Sequence, residues 1–281
     1  MPATRASANM PTPSDPGVFQ QMIRNTFAAI LLASAASMAA LPAQAQETFD
    51  AKQTDAVRKI VRDYLMEHPE VIGEAIEALR EKMRAQAESD AKKAIEARKD
   101  EIFNDANDPV SGNAKGDVVI VEFFDYNCPY CKVVLDPMME AAKADGKVKL
   151  VFKEMPILSE DSLTAARAAL AAKKLGKYDE VHRALMKFRG KLDEKTIFRL
   201  IGEAGVSTDQ IKKEMMAPEI EKQIKKNIEL AHALDISSTP SFVVAGADGK
   251  AARTLSGALE GQVFKQLIDI TRKGGRLTGA N

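Results

Sequence analysis

The apolar run Val118-Val119-Ile120-Val121-Glu122-Phe123-Phe124 leads almost directly into Asn127-Cys128-Pro129-Tyr130-Cys131, and these are the only 2 cysteines in 281 residues. A strand that is apolar at consecutive positions belongs in a sheet covered on both faces. Proline directly after the first cysteine suits the first position of a helix, where its missing N–H costs nothing. The junction therefore reads as strand, turn and helix, with Cys128 at the helix N-cap. The free N–H groups and partial positive charge of a helix end favour a thiolate there. Cys131, one turn on, is placed to resolve a mixed disulfide formed at Cys128.

Two other uses of a cysteine pair fit less well. A zinc site needs about four ligands, and His68, His182 and His232 are far apart with no short spacing. No metal and no cofactor are expected. A purely structural disulfide across two residues closes too small a loop to restrict the unfolded chain much. A redox dithiol is the reading that remains.

The N-terminus supplies the compartment. Met22-Ile23-Arg24-Asn25 is a short basic stretch, Phe27 to Leu41 is apolar and small, and Pro42-Ala43-Gln44-Ala45 follows. That is the order of an export signal, so residues 1–45 are expected as a leader cut after Ala45, with translation starting at Met22 or Met10. The apolar run is short for a membrane span; an uncut anchor is the competing reading. Removing Arg5, Arg24 and Asp15 from 40 basic and 40 acidic residues leaves 38 against 39. Nothing in that balance points to nucleic acid or an anionic membrane as partner. An exported chain with so few cysteines is not held together by disulfides, so the pair is there for chemistry.

Residues 46–103 read as a helical arm. Val57, Ile60, Val61, Tyr64 and Leu65 form one stripe, His68-Pro69 interrupts it, and Ile72, Ile76, Leu79 and Met83 resume it at helical steps. So narrow a seam cannot support an independent domain, so residues 54–103 are expected to form a homo-oligomer; the alternative is a solvated helix on its own domain. Residues 104–117, with Asp108-Pro109 and Ser111-Gly112-Asn113, read as a linker. Residues 118–281 form the main domain. Its redox helix is expected to run to about Ala144, with Val133, Val134, Met138, Met139 and Ala142 inward. Val148–Lys153 is the next strand, parallel to the first. Residues about 161–235 are almost wholly helical, Phe242–Ala245 and Ala252–Leu255 form a hairpin, and Gly261–Arg272 is the last helix.

The run Val-Glu-Phe-Phe-Asp-Tyr-x-Cys-Pro-Tyr-Cys (Val121 to Cys131), with Ser238-Thr239-Pro240-Ser241 before the hairpin, resembles bacterial periplasmic DsbA-type thiol–disulfide oxidoreductases. The resemblance spans about 105–281 and implies an α/β fold, a thioredoxin fold with an inserted all-helical domain. Tyr64-Leu65-Met66-Glu67-His68-Pro69-Glu70-Val71 is similar to the N-terminal region of the ScsC-like branch, some members of which are oligomeric isomerases.

The resemblance implies a nucleophile at Cys128 and a resolving thiol at Cys131. Pro240 would be a cis-proline presenting the backbone of Thr239 to an extended client. Pro129 and Tyr130, between the cysteines, would touch substrate and tune potential. Glu122 would be a buried acid relaying protons, with Lys153 as its expected partner from the next strand. The implied partners are unfolded or wrongly disulfide-bonded exported proteins and a membrane redox partner. An isomerase or reductase role is favoured by the arm. A disulfide-donating oxidase is the alternative, and a binding-only chaperone on the same fold is more remote.

Overall fold

The computed structural model describes residues 49–275, so the expected leader lies outside the described residues. The chain divides into two units at Gly73.

In the first unit Asp50 and Gln53 close a reciprocal cap: Gln53 N–H donates to Asp50 Oδ1 at 2.7 Å and Asp50 N–H to Gln53 Oε1 at 2.9 Å. Helix α1 (Ala51–Glu67) follows and stops at His68, whose N–H reaches Tyr64 O. No residue of α1 is buried, so its apolar stripe faces outward. Helix α2 (Glu70–Ala97) starts next, and Ile72, Ile76, Leu79 and Met83 are likewise exposed along it.

In the second unit the chain enters the core before residue 104. Ile95 near the end of α2, with Ile102 and Phe103 of α3 (Lys99–Phe103), is buried against one face of the sheet. The expected linker 104–117 is also partly core. Asp108 is buried, and Val110–Gly112 forms β1, antiparallel to β3 (Val148–Glu154). Three residues among turn formers are too short to carry a period-2 signal, which is why the strand escapes the sequence pattern.

The sheet order is β1-β3-β2-β4-β5, with β2 (Val118–Phe124), β4 (Ser241–Gly246) and β5 (Arg253–Ser256). β2 and β3 are parallel, and β2 is buried at every residue, as its unbroken apolar run requires. Even-numbered Ile120, Phe124, Phe152 and Phe242 face one side, where α4 (Pro129–Asp145), α10 (Gly261–Arg272) and most of the helical insertion pack. Odd-numbered Val119, Val121, Phe123 and Val243 face the other, against Ile95, Ile102 and Leu230. The insertion between β3 and β4 comprises α5 (Glu160–Lys174), α6 (Tyr178–Lys187), α7 (Glu194–Glu203), α8 (Thr208–Glu214) and α9 (Pro218–Ala233). Helix α4 ends at Gly146, which adopts φ +76° and donates to Ala142 O, a left-handed cap that favours glycine. Val133 of α4, expected inward, is 56 % exposed; the buried stripe is Val134, Leu135, Met138, Ala141 and Ala142. Among the described residues no helix is long and apolar enough to cross a membrane.

Candidate active site

Cys128 is the N-cap of α4, in extended backbone conformation, and Pro129 opens the helix. The proline therefore needs no backbone partner, and the Tyr130 and Cys131 N–H groups lie where they favour a thiolate. Both cysteines are free thiols; Cys128 is 4 % exposed and Cys131 is fully buried. Tyr130, at 62 % exposed, stands out into solvent beside them. The Thr239–Pro240 peptide is cis, and the Cys128 thiol donates to Thr239 O at 3.3 Å. Two segments more than a hundred residues apart thus meet at one sulfur.

The two thiols are driven in opposite directions. A hydrogen bond from Cys131 is the largest influence on Cys128. With the Thr239 side chain and the N–H groups of Cys131 and Tyr130, it outweighs burial and lowers the Cys128 pKa from 9.0 to about 6. Burial, then the bond to Cys128 and the charge of Glu122, push the Cys131 thiol far above its ordinary range. Near neutral pH the site holds a thiolate at Cys128 and a proton on Cys131.

Glu122 lies on the same sheet face as the thiol pair, opposite Phe152 and Phe242. It is wholly buried, and neither carboxyl oxygen has a hydrogen-bond partner within the protein. Burial, and secondarily the charge on Cys128, raise its pKa from 4.5 to about 8. Lys153 is not its partner. β2 and β3 are parallel with Glu122 opposite Phe152, so Lys153 opposes Phe123 and points to the other face. There its ammonium is spent on the Asp108 carboxylate and on Glu101 O at 2.6 Å. Lys153 joins β3 to the segment before β1 and has no contact with the thiols that would let it act in exchange.

Several supporting groups escape the sequence pattern. Asp125 is buried and accepts four hydrogen bonds: from Asn127 N–H and Ser162 Oγ at 2.7 Å each, from Ile157 N–H at 2.9 Å and from Leu158 N–H at 3.0 Å. Its carbonyl also takes the Cys128 N–H at 3.1 Å. One carboxylate therefore ties the turn before the cysteines to the segment entering α5. Behind it, the buried carboxyl of Glu154 accepts from Tyr126 at 3.1 Å and Tyr178 at 3.0 Å, and Tyr126 also bonds His182 Nδ1 at 3.0 Å. Burial raises the Glu154 carboxyl well above its ordinary range and lowers His182 to about 3, so the imidazole is neutral near pH 7.

Comparison with known proteins gives this geometry its family. Residues 119–269, more than half of the chain, match the DSBA-like thioredoxin domain. The chain belongs to the DsbA-like thioredoxin family. Residues 53–86 match a second domain, described as the N-terminal domain of the copper resistance protein ScsC. A thioredoxin-like oxidoreductase from Silicibacter pomeroyi is 44 % identical, with TM-score 0.58 over 62 % of this chain and 97 % of that one. A linker-deletion variant of Proteus mirabilis ScsC is 28 % identical, with TM-score 0.57 over 81 % of this chain and 98 % of that one. The thiol:disulfide interchange protein DsbA of Bordetella parapertussis is 25 % identical over 64 % of this chain and 89 % of its own length. The chain is thus a DsbA-type, ScsC-like protein-disulfide oxidoreductase with an α/β thioredoxin fold and a helical insertion.

In such a DsbA-like site Glu122 carries a stability signature. The folded state keeps its proton up to about pH 8, whereas the unfolded carboxyl releases it above its ordinary value of 4.5. The unfolded state therefore binds fewer protons in that window, and stability falls as pH rises through it. Glu122→Gln removes the titration. The melting midpoint of the variant should match or trail the parent near pH 4 and exceed it at pH 8 by roughly 5 °C or more, at about 1.4 kcal/mol per pKa unit. Parallel curves of midpoint against pH for the two proteins would show that Glu122 does not titrate in this way.

Proposed function

We propose that this oxidoreductase works in the periplasm on unfolded or wrongly disulfide-bonded exported proteins, as an isomerase or reductase kept reduced by a membrane electron donor. The observation that carries the chemistry is the paired setting of the thiols: Cys128 lowered to about 6 at a helix N-cap, Cys131 buried with its proton. The Cys128 thiolate attacks a client disulfide, forming a mixed disulfide and releasing one client thiolate. Cys131 then gives up its proton and attacks Cys128 Sγ, which frees the second client thiolate and leaves the Cys128–Cys131 disulfide. Glu122 in its ionised fraction is the acceptor for that proton; with a pKa raised to about 8 the carboxyl is mostly protonated near neutral pH but close enough to it to take and return one. Thr239, with its carbonyl at the sulfur, and the exposed Tyr130 and Pro129 are the groups an extended client would meet.

The arm supports this direction of exchange. Its exposed stripes support an oligomer of residues 54–103, and several thiolates facing one client raise their effective concentration during repeated attack. The low pKa of Cys128 supports a second reading, a disulfide-donating oxidase of the DsbA type. A stabilised thiolate favours the dithiol and so makes the disulfide a stronger oxidant. Alkylation trapping of the cysteines in intact cells separates the two. A mostly reduced pair supports isomerase or reductase, and a mostly oxidised pair replaces that reading with the oxidase.

A further inference from the structure

Beside the thiol pair lies a groove of about 650 Å³, bordered by Pro129 and Val133 of α4, by Leu158, and by Arg189 and Lys191 of the loop between α6 and α7. The loop is built into the site from both flanks of the cysteine pair. Lys132, next to Cys131, donates its ammonium to Phe188 O at 2.8 Å and Gly190 O at 3.3 Å. Asn127, next to Cys128, accepts from Leu192 N–H at 3.0 Å. Its walls are apolar and solvent-facing: Val133 is 56 % and Leu158 52 % exposed.

Its charge is one-sided. Arg189 is exposed and has no ion-pair partner among the described residues, and Lys191 comes no nearer than 3.6 Å to Asp161 with its side chain 79 % exposed. No carboxylate borders the groove among the described residues, although the chain as a whole balances 40 basic against 40 acidic residues. Lys132 is occupied with the loop carbonyls and Lys191 lies at ion-pair distance from Asp161, so among the described residues Arg189 is the groove's unpaired cation, with the largely exposed Lys191 beside it.

We propose that this groove makes the enzyme selective for client segments in which an apolar side chain and a carboxylate lie within a few residues of the attacked cysteine. The apolar residue covers Val133 and Leu158, and the carboxylate pairs with Arg189 and Lys191. The proposal rests on the oxidoreductase reading and adds a substrate class to it. Selectivity arises before the chemical step, because a fixed pair of cations concentrates anionic segments at the thiolate and repels cationic ones.

The test uses two peptides, Glu-Leu-Cys-Leu-Glu and Lys-Leu-Cys-Leu-Lys, each blocked at both ends and carrying its cysteine as a mixed disulfide with 2-thiopyridine. The Cys128 thiolate attacks the peptide sulfur and expels 2-thiopyridone, whose absorbance reports the rate. Cys131 then loses its proton and closes the disulfide, releasing the peptide thiol; the enzyme dithiol is oxidised and the peptide disulfide reduced. Each rate is divided by that of the same peptide with dithiothreitol, which removes intrinsic reactivity. The acidic peptide should react about tenfold faster than the basic one at low salt, with the ratio falling towards one at 1 M NaCl. Arg189→Glu combined with Lys191→Glu should reverse the order of the two peptides. A ratio near one at low salt, or one that salt and the charge reversal leave unchanged, overturns the proposal. The salt series on the unaltered protein decides the matter if the double variant does not fold. The uncharged 2,2′-dithiodipyridine separates the two levels. Reaction with it but no peptide preference defeats the groove alone; no reaction with it defeats the oxidoreductase reading as well.

Discussion

Cys128→Ser should abolish catalysed reduction of insulin disulfides in the presence of dithiothreitol, lowering the rate to the dithiothreitol background. A serine hydroxyl in the same place is not ionised near neutral pH and cannot replace the thiolate that the parent holds with a pKa of about 6. Cys131→Ser should fail differently. The attacking thiolate remains, but nothing resolves the first product, so mixed disulfides with insulin chains accumulate and are visible without reductant. The pH dependence separates a poised thiol from an ordinary one. Alkylation of Cys128 in the parent should be nearly constant from pH 7 to 9 and fall below about pH 6, whereas a free cysteine would still be gaining rate up to its ordinary 9.0. Full insulin activity in Cys128→Ser would remove the catalytic assignment, whatever the fold.

How far this site is legible in the sequence depends on the range of the interactions that build it. The apolar run Val118–Phe124, the Cys-Pro step and the stop at Gly146 are local, and local chemistry fixes strand, N-cap and helix end. The helices of the insertion are bounded by caps such as Ser159, Asp193 and Ser207, each accepting an N–H three residues on, and are readable for the same reason. Lys153 illustrates the opposite case. The family resemblance implies an acid–base pair across neighbouring strands, but only the register, with Glu122 opposite Phe152, shows that Lys153 points to the other face. Asp125, Asn127 and Lys132 are ordinary polar residues in sequence. Their importance lies in partners 30 to 65 positions away: Leu158, Leu192, Phe188 and Gly190. Val133 and Val134 are adjacent and alike in sequence, and only the position of the buried stripe, Val134, Leu135, Met138, Ala141 and Ala142, shows that Val133 falls outside it.

Light scattering should find residues 46–281 as an oligomer and a chain beginning at Glu88 as a monomer that still reduces insulin. The cut belongs at Glu88 rather than at Asn104, because Ile95, Ile102 and Phe103 are core residues of the catalytic unit and their loss would unfold it. Val57, Ile60, Val61, Tyr64, Ile72, Ile76, Leu79 and Met83 are between 44 % and 67 % exposed. Covering what remains of each contributes roughly 1 kcal/mol, so two copies together offer about as much as the 4–15 kcal/mol that association costs, or somewhat more. An interface with so narrow a margin is lost on a single buried charge. Leu79→Glu in the full chain should therefore give the monomer without truncation, with the melting transition of the catalytic unit unmoved. Its effect on function should be selective. Each active site keeps its own thiolate, so insulin reduction per site persists, while recovery of a client with scrambled disulfides falls because successive attacks no longer share one bound chain. If both chain lengths run as monomers, the stripes do not join copies of this protein, and the isomerase reading yields to the oxidase.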